Sequence, residues 1–206
     1  MKTNFKSAKE YIKLKKKEGS ESLCGSGSHM SNASDVIDFI QKTIDKHNIK
    51  SILDLGCGDW NWFKEINFSK NINYIGWDCD KEMIKSNEQK YGSDKIKFEE
   101  KDIVTSVFPK VDLIICRDVL FHLEEELSLK IISKTKDKCK YFISTSYLSV
   151  DKNTNIKPYI PISGWGFYQI NLNINPFNLD HYQIDEQEEQ RIKSNGQQRS
   201  VCLYKF

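Results

Sequence analysis

The stretch Ser51-Ile-Leu-Asp-Leu-Gly-Cys-Gly-Asp59 decides the fold of this chain. It begins as a short apolar run, and two glycines then follow two residues apart. This order is typical of a buried strand that ends in a tight turn. Gly56 and Gly58 have no Cβ, so the backbone there can take positive φ and a ligand can lie against it. Asp54 stands near the end of the strand, where open α/β sheets bind their ligands.

Further apolar runs and helical patterns alternate downstream of this turn, which favours an α/β fold. The second run ends in Asp78-Cys79-Asp80, about 20 residues after the glycine turn, and an acid at that place suits the hydroxyls of a ribose. From residue 151 onward the sequence predicts strands and turns without another helix. The other predicted strands are Asn73–Trp77, Ile96–Phe98, Val111–Cys116 and Tyr141–Ser146, and the helices between them are Lys81–Lys90 and one that opens at Glu124.

Composition narrows the class of protein. The chain has 206 residues, of which 38% are hydrophobic and 29% charged, as expected for one globular domain. The net charge of +2 disfavours nucleic acid as a partner, and no apolar run approaches the roughly 20 residues that span a bilayer. The lysine-rich start lacks the apolar region of a secretory signal, so a cytoplasmic location is expected. No cysteine pair has CxxC spacing, which predicts free thiols and no metal site.

The first 33 residues differ from the rest and are predicted to form a separate N-terminal element. Met1–Glu18 carries seven lysines and favours a helix, which could be a lid over a ligand, an RNA-contacting arm or a solvated helix. The glycine- and serine-rich loop after it, with Gly25–Ser28, could offer donors to a carboxylate or could be a plain linker. We expect the main domain to span residues 34–206.

Two more helices are predicted near the glycine turn. Asp35–His47 has apolar residues at helical spacing, with Ser34 as the N-cap. Asp59-Trp-Asn-Trp-Phe63 is expected to begin a short helix. Its two tryptophans could form the wall of a ligand pocket or could pack between the sheet and the helices.

The motif Asp54-x-Gly56-x-Gly58 resembles the first motif of the class I S-adenosylmethionine-dependent methyltransferases. The resemblance implies a doubly wound, mostly parallel seven-stranded sheet of Rossmann-like topology that ends in an antiparallel strand pair. It also implies S-adenosyl-L-methionine as the cofactor, with Asp78 on the ribose. Asp102 would then approach the adenine amino group, and the backbone N–H of Ile103 would meet a ring nitrogen.

More narrowly, the chain resembles a bacterial subgroup with Cys116-Arg-Asp-Val-Leu-x-His-Leu123 after the fourth strand and a late Gly166…Ile170-Asn-Leu172…Pro176-Phe177 segment. That subgroup is mostly linked to small acceptors, often in surface-carbohydrate pathways such as the phosphoramidate-modified capsule. Trp60 departs from the pattern, because a third glycine is common nearby. The cofactor contacts that this resemblance predicts are Tyr11, Gly27, Asp54, Gly56, Cys57, Gly58, Trp60, Asp78, Cys79, Asp102, Ile103 and Arg117.

Catalytic residues are predicted at the end of the fourth strand. Methyl transfer is an in-line displacement, so alignment is the main task, and a base is needed only for some oxygen and nitrogen acceptors. His122 is the first candidate for that base, with a backbone-bonded residue at a helix entry as the alternative. Arg117 could hold an anionic acceptor or could pair with Asp118. Tyr147 is a third catalytic candidate and, like Asn171, a further candidate for contact with the acceptor.

Other functional classes remain open at this point. A dinucleotide-binding oxidoreductase is disfavoured, because Gly56-x-Gly58 lacks the third glycine of that fingerprint. An RNA methyltransferase would use the lysine-rich N-terminus, although the near-neutral charge speaks against it. A non-catalytic protein that only binds the cofactor is the last alternative. The favoured partner is a small-molecule acceptor, with no role for a membrane, and the sequence leaves the oligomeric state undefined.

Overall fold

The computed structural model describes residues 5–68, 71–153, 168–194 and 197–206. Four α-helices and seven strands form within them. In chain order these are α1 (Phe5–Glu18), α2 (Met30–His47), β1 (Ser51–Leu55), β2 (Asn73–Asp78), α3 (Lys81–Tyr91), β3 (Ile96–Glu100), β4 (Val111–Cys116), α4 (Glu125–Lys136), β5 (Cys139–Ser146), β6 (Gln183–Ser194) and β7 (Gln197–Lys205).

The strands form one sheet in the order β3-β2-β1-β4-β5-β7-β6. Strands β1 to β5 pair in parallel, whereas β7 runs antiparallel to both β5 and β6. The fold predicted from the sequence is therefore confirmed. The chain moves outward from β1 to β3 and then returns to place β4 on the other side of β1. Ligands of open α/β sheets bind at such a switch point, beyond the carboxyl ends of the strands.

Hydrophobic residues cover both faces of the sheet. Ile52 belongs to the layer that includes residues of α2, whereas Leu53 and Leu55 belong to the layer that includes residues of α4. All three are fully buried, and each such side chain contributes about 1.5–3 kcal/mol to folding. The alternation of side chains along β1 thus fixes the glycine turn rigidly at the sheet edge.

Helix α2 begins earlier than the sequence predicts. It starts at Met30 and not at Asp35, its N-cap is His29, and the prediction that Ser34 caps it is wrong. The His29 side chain makes no capping hydrogen bond. Instead, the Glu21 carboxylate accepts a hydrogen bond from the Met30 backbone N–H at 2.8 Å. A contact from outside the helix replaces the local cap, and for this reason the start was not evident from residues 30–34.

The predicted helix at Asp59–Phe63 is also wrong in its position. Residues 59–62 form turns, and a short 3-10 helix follows at Phe63–Glu65. Trp60 has a positive φ of 58°, which an α-helix does not allow. Gly166, part of the late segment used in the resemblance, lies outside the described residues. None of the described helices combines the length and apolar character needed to cross a membrane.

Candidate functional site

The glycine turn after β1 folds back onto the end of β2. The backbone N–H groups of Gly56 and Cys57 both donate to the carbonyl of Trp77, at 2.8 and 3.0 Å. Gly56 and Gly58 have φ of 79° and 58°, so both use the left-handed region that glycine favours. A Cβ at Gly56 would lie 2.5 Å from a methyl group of Val119. Glycine is therefore required at Gly56 both by its conformation and by its neighbour.

Asp78, the last residue of β2, lies directly beside this turn. Its carboxylate accepts hydrogen bonds from the backbone N–H of Gly58 at 3.1 Å and from that of Asp80 at 3.0 Å. Burial raises the pKa of Asp78, although these backbone donors lower it in part. The side chain is partly exposed. A carboxylate fixed in this way keeps lone pairs for further donors, such as vicinal hydroxyls.

Asp54 is buried near the end of β1, just before the glycine turn and next to β2 in the sheet. Its carboxylate accepts a hydrogen bond from the Tyr74 hydroxyl at 2.8 Å. Burial raises the pKa of Asp54 to about 7, the Tyr74 bond offsets part of that rise, and the negative charge of Asp78 adds to it. The sequence did not single out Tyr74, because a tyrosine in a strand is usually a packing residue.

Asp102 follows β3, the next strand of the sheet. Its exposed carboxylate accepts from the Val104 backbone N–H at 2.8 Å and so stabilises a turn. Ile103 is partly buried in that turn, and its carbonyl accepts from Lys134 Nζ at 2.6 Å. Asp54, Asp78 and Asp102, called the three acids below, thus stand at the carboxyl ends of three adjacent parallel strands.

Residues Gly19–His29, called the covering loop below, lie over the glycine turn. The Ser22 hydroxyl and the Leu23 backbone N–H donate to the Asp59 carboxylate at 3.2 and 2.7 Å. Cys24 Sγ lies only 2.5 Å from the place that a Cβ of Gly58 would occupy. The open side of the turn at Gly58 therefore faces the covering loop in this structure.

A cavity of about 300 Å³ lies next to the covering loop, lined in part by Leu23, Asp80 and Asn87. The buried Asn87 amide donates to the Gly58 carbonyl at 2.7 Å. From the sequence, no role was predicted for Asn87. An amide within an otherwise apolar helix face was the available signal.

The remaining predicted cofactor residues lie at different depths around the turn. Cys57 is buried and Cys79 is exposed. The Tyr11 hydroxyl lies 3.2 Å from the place that a Cβ of Gly25 would occupy, so α1 contacts the covering loop. Trp60 is 4% exposed and packs against aromatic rings of the core, including Tyr91 with ring centroids 4.9 Å apart.

Four charged side chains meet near β4 to β7, and we call them the ion cluster. Its members are Arg117, Asp118, Glu189 and Arg199. Glu189 Oε2 accepts from Arg117 Nη2 and from Arg199 Nη2, both at 2.7 Å. Asp118 lies 3.5 Å from Arg117 and 3.3 Å from Arg199. The Glu189 side chain is completely buried, and the two arginine side chains are only 3% and 6% exposed. Two positive and two negative charges therefore balance in a mostly buried site, in which only Asp118, at 21%, is notably exposed.

Asp118 is held in a strained but well-bonded conformation. Its φ is 58°, and its carboxylate accepts from the Thr145 hydroxyl at 2.8 Å. Burial alone would raise the pKa of Asp118, but the guanidinium groups of Arg117 and Arg199 lower it more, and the result is a pKa below the usual value. The carboxylate therefore stays ionised, and Arg117 has the pairing with Asp118 that the sequence left as its alternative.

The other predicted acceptor contacts are His122, Tyr147 and Asn171. His122 ends a short 3-10 helix, Leu120–His122, and its ring lies edge-on to Phe121 with centroids 4.6 Å apart. Tyr147 is buried near Arg199, and burial raises its pKa. Both ends of the Asn171 amide serve the fold: the NH₂ donates to the carbonyls of Leu148 and Val150, and the oxygen accepts from the backbone.

The sequence did not identify Glu189 or Arg199 as site residues. Both lie in polar stretches of the C-terminal hairpin, which read as solvent-facing. Within the described part of the chain, His, Cys, Asp and Glu side chains form no group of three that could hold a metal ion.

Comparisons with known proteins place this geometry in context. Residues 52–140 match the family model described as "Methyltransferase domain". The curated phosphoethanolamine N-methyltransferase of Plasmodium falciparum (isolate 3D7) is 34% identical over 98 residues, which are 46% of this chain and 37% of that protein. The chain therefore spans little more than a third of the length of this relative.

Solved structures show the same fold over most of the chain. An S-adenosylmethionine-dependent methyltransferase from Clostridium acetobutylicum ATCC 824 matches 84% of this chain and 91% of its own with a TM-score of 0.60 at 19% identity. The magnesium protoporphyrin IX methyltransferase of Synechocystis PCC 6803, with bound S-adenosylmethionine, matches 100% of this chain and 86% of its own with a TM-score of 0.58 at 15% identity. The chain thus has the class I S-adenosylmethionine-dependent methyltransferase fold, and its residues 52–140 match the methyltransferase domain family.

Proposed function

We propose that this chain is an S-adenosylmethionine-dependent methyltransferase that moves a methyl group to an oxygen or nitrogen of a small acceptor. The observation that carries the proposal is the position of the three acids, at the ends of three adjacent strands beside a glycine turn with positive φ. The family match over residues 52–140 supports it.

The residues present fit this cofactor. Asp78 is fixed by two backbone donors and remains partly exposed, as an acceptor for two ribose hydroxyls must be. Asp102 and Ile103 would hold the adenine, and the Gly56–Gly58 backbone would lie along the methionine portion. Once bound, S-adenosylmethionine supplies a methyl carbon activated by a positive sulfur. The protein's part is to hold this carbon in line with the acceptor atom and to exclude water.

The supporting residues have separate proposed roles. Asp54 and Cys57 hold the turn from the core side, and Trp60 fixes its far end by packing within the core. Cys79 follows Asp78 on the exposed rim of the ribose site. Tyr11 and Gly27 belong to the N-terminal element of residues 1–33, which would cover the bound cofactor as a lid.

The proposed acceptor site lies at the carboxyl ends of β4 and β5. His122 is the proposed general base, because imidazole is the side chain best suited to take a proton at neutral pH. Arg117 and Tyr147 are the proposed neighbours of the acceptor. Phosphorylated and sugar-linked small molecules are the acceptor classes to test first, including those of capsule and phosphoramidate biosynthesis. The Plasmodium relative is named for phosphoethanolamine, which gives one phosphorylated compound for the first screen.

Calorimetry with S-adenosylmethionine and S-adenosylhomocysteine tests the cofactor. We expect one-to-one binding, and no heat at about 1 mM ligand would reject the proposal, because a dissociation constant above 1 mM corresponds to less than about 4.1 kcal/mol of binding energy. Transfer of a labelled methyl group to a metabolite pool then tests turnover, with a tRNA fraction as a second arm. Tight binding without transfer to either pool would favour a non-catalytic role.

His122→Ala and His122→Gln test the proposed base. We expect turnover to fall by about 100-fold or more in both variants, because general base catalysis contributes typically 10²–10⁴-fold. The affinity for S-adenosylhomocysteine should stay the same, since His122 is not among the proposed cofactor contacts. Full activity of either variant would show that His122 is not the base.

A further inference from the structure

We propose that Glu189 is a positioning residue for the cofactor site: it fixes Arg117 and Arg199, and through Arg117 it seats Gly27 and the covering loop against the carboxyl edge of the sheet. The inference rests on the proposed function only in calling that edge a cofactor site. The contacts themselves belong to the described structure.

The first step is the link from Glu189 to the loop. Arg117 Nη2 donates to Glu189 Oε2 at 2.7 Å and also to the Gly27 carbonyl at 3.0 Å. The same guanidinium lies 5.0 Å from the ring of Trp62. The carboxylate, the indole ring and the carbonyl therefore fix the arginine from three directions. Hydrogen bonds to ionised groups are stronger than neutral ones, so the carboxylate is the principal restraint on Arg117.

The second step is the close fit of Gly27 on the ion cluster. A Cβ at Gly27 would lie 2.7 Å from Asp118 Oδ2 and 3.4 Å from Arg199 Nη2. The backbone of the covering loop thus touches the cluster itself and not merely its edge. A shift of either arginine would remove the surface on which Gly27 rests.

The third step is that, without Glu189, the ion cluster would keep only Asp118 to pair with its two arginines. Among the described residues, Glu189 Oε1 and the Nε atoms of Arg117 and Arg199 are buried without a hydrogen-bond partner. Glu189 holds both guanidiniums through its other oxygen, Oε2. Removing that carboxylate would leave two arginines with a single buried acid, and one of them would have to turn toward water.

The covering loop has a second anchor on the other half of the sheet edge. Asn61 Nδ2 donates to Glu21 Oε1 at 2.7 Å and to the Ser28 carbonyl at 3.0 Å. Asp59 accepts from Ser22 and from Leu23. The loop is therefore held by two sets of contacts, one from Asn61 and Asp59 after the glycine turn and one from the ion cluster at Gly27. Glu189 controls only the ion-cluster contact, so its loss should loosen the loop without unfolding the sheet.

Amide hydrogen exchange of the ligand-free protein tests this inference. In Glu189→Gln and Glu189→Asp, we expect exchange of residues 22–30 to become about 10- to 100-fold faster, because contacts to charged groups are lost, while β1 and β5 keep their protection. Glu186→Gln is the matched control, since Glu186 is an exposed carboxylate on the same strand, and it should exchange like the wild type. Unchanged loop protection in a folded Glu189 variant would overturn the proposal.

Gly27→Ala keeps the test decisive if the Glu189 variants fail to fold. Its methyl group should push the loop away from an intact cluster and speed exchange of residues 22–30 by a similar factor. Combined with Glu189→Asp it should add little, because both changes break the same attachment. Normal loop protection in Gly27→Ala, or full additivity in the double variant, would contradict the proposal. Exchange is measured without ligand, so this result is separate from whether the protein binds S-adenosylmethionine.

Discussion

Charged side chains have different partners in the two halves of the sheet's carboxyl edge. Under β1, β2 and β3, the three acids are held by N–H and O–H donors. None of the three belongs to an ion pair among the described residues. Near β4 to β7, the ion cluster pairs every charge with an opposite one, and three of its four side chains are buried, whereas Asp118 is 21% exposed.

From this difference we expect the three acids to bind a ligand and the ion cluster to stabilise the fold. Carboxylates that lack a cationic partner can accept hydrogen bonds from an incoming ligand. Charges that already balance inside the protein have less of this capacity, and their removal leaves a buried charge unpaired. We therefore expect changes in the ion cluster to lower stability most. Changes in the three acids should instead alter ligand binding or the pH dependence of stability.

The largest effect is expected in the ion cluster. Arg199→Met should lower the free energy of unfolding by about 3–5 kcal/mol, because Asp118 and Glu189 would be left with one arginine between them. Urea denaturation measures this change. Lys46→Met is the control, since Lys46 makes an exposed pair with Asp185 at 3.8 Å, and it should cost less than about 1 kcal/mol. If both variants lost the same free energy of unfolding, the ion cluster would not stabilise the fold more than an exposed ion pair does.

A pH-dependent effect is expected from Asp54. Burial raises its pKa from 3.8 to about 7, so between these values the folded protein holds a proton that the unfolded chain releases. Stability should therefore fall as pH rises from about 4 to 7, on the order of 3 kcal/mol for this group alone. Asp54→Asn should lose this part of the slope, because its amide does not titrate. Urea unfolding of the wild type and of Asp54→Asn at pH 4.5 and 8 measures this slope. An equal change in the free energy of unfolding of both proteins would contradict the account.

A smaller effect is expected for Asp78→Ala. Affinity for S-adenosylhomocysteine should fall by about 10- to 100-fold, because two ribose hydroxyls lose their acceptor. Asp80→Ala is the matched control in the same loop: Asp80 caps α3 by accepting from the Met83 backbone N–H at 2.9 Å, so its loss should cost about 1 kcal/mol of stability. It should leave affinity nearly unchanged. If calorimetry gave equal losses for both, the ribose assignment would be wrong.

Local patterns were enough to predict most of the fold. Strands β1 and β4 are apolar runs that end in turn or acidic residues, and both were recognised for that reason. The start of α2 was missed because residues 30–34 carry no local cap. The Glu21 carboxylate supplies the missing contact from nine residues away.

The Arg117–Asp118 pair was one of the alternatives that the sequence offered, but the rest of the ion cluster could not be predicted, because Glu189 and Arg199 reach it only through the sheet. Glu189 lies in the polar run Asp185–Gln190, which is typical of a solvent-facing strand, yet it is 2% exposed. Its partner Arg117 is 72 residues away in sequence. Asp78 was easier to place, since its proposed role follows from its spacing to the glycine turn along the chain.

A crystal structure with S-adenosylhomocysteine tests the central claim most directly, namely that the three acids form the cofactor end of the sheet edge. We predict that both ribose hydroxyls lie within about 2.5–3.0 Å of the Asp78 carboxylate, the usual range for hydrogen bonds between oxygens. The adenine should lie beside Asp102 and Ile103. A ribose bound elsewhere, or a cofactor that contacts none of the three acids, would contradict the account.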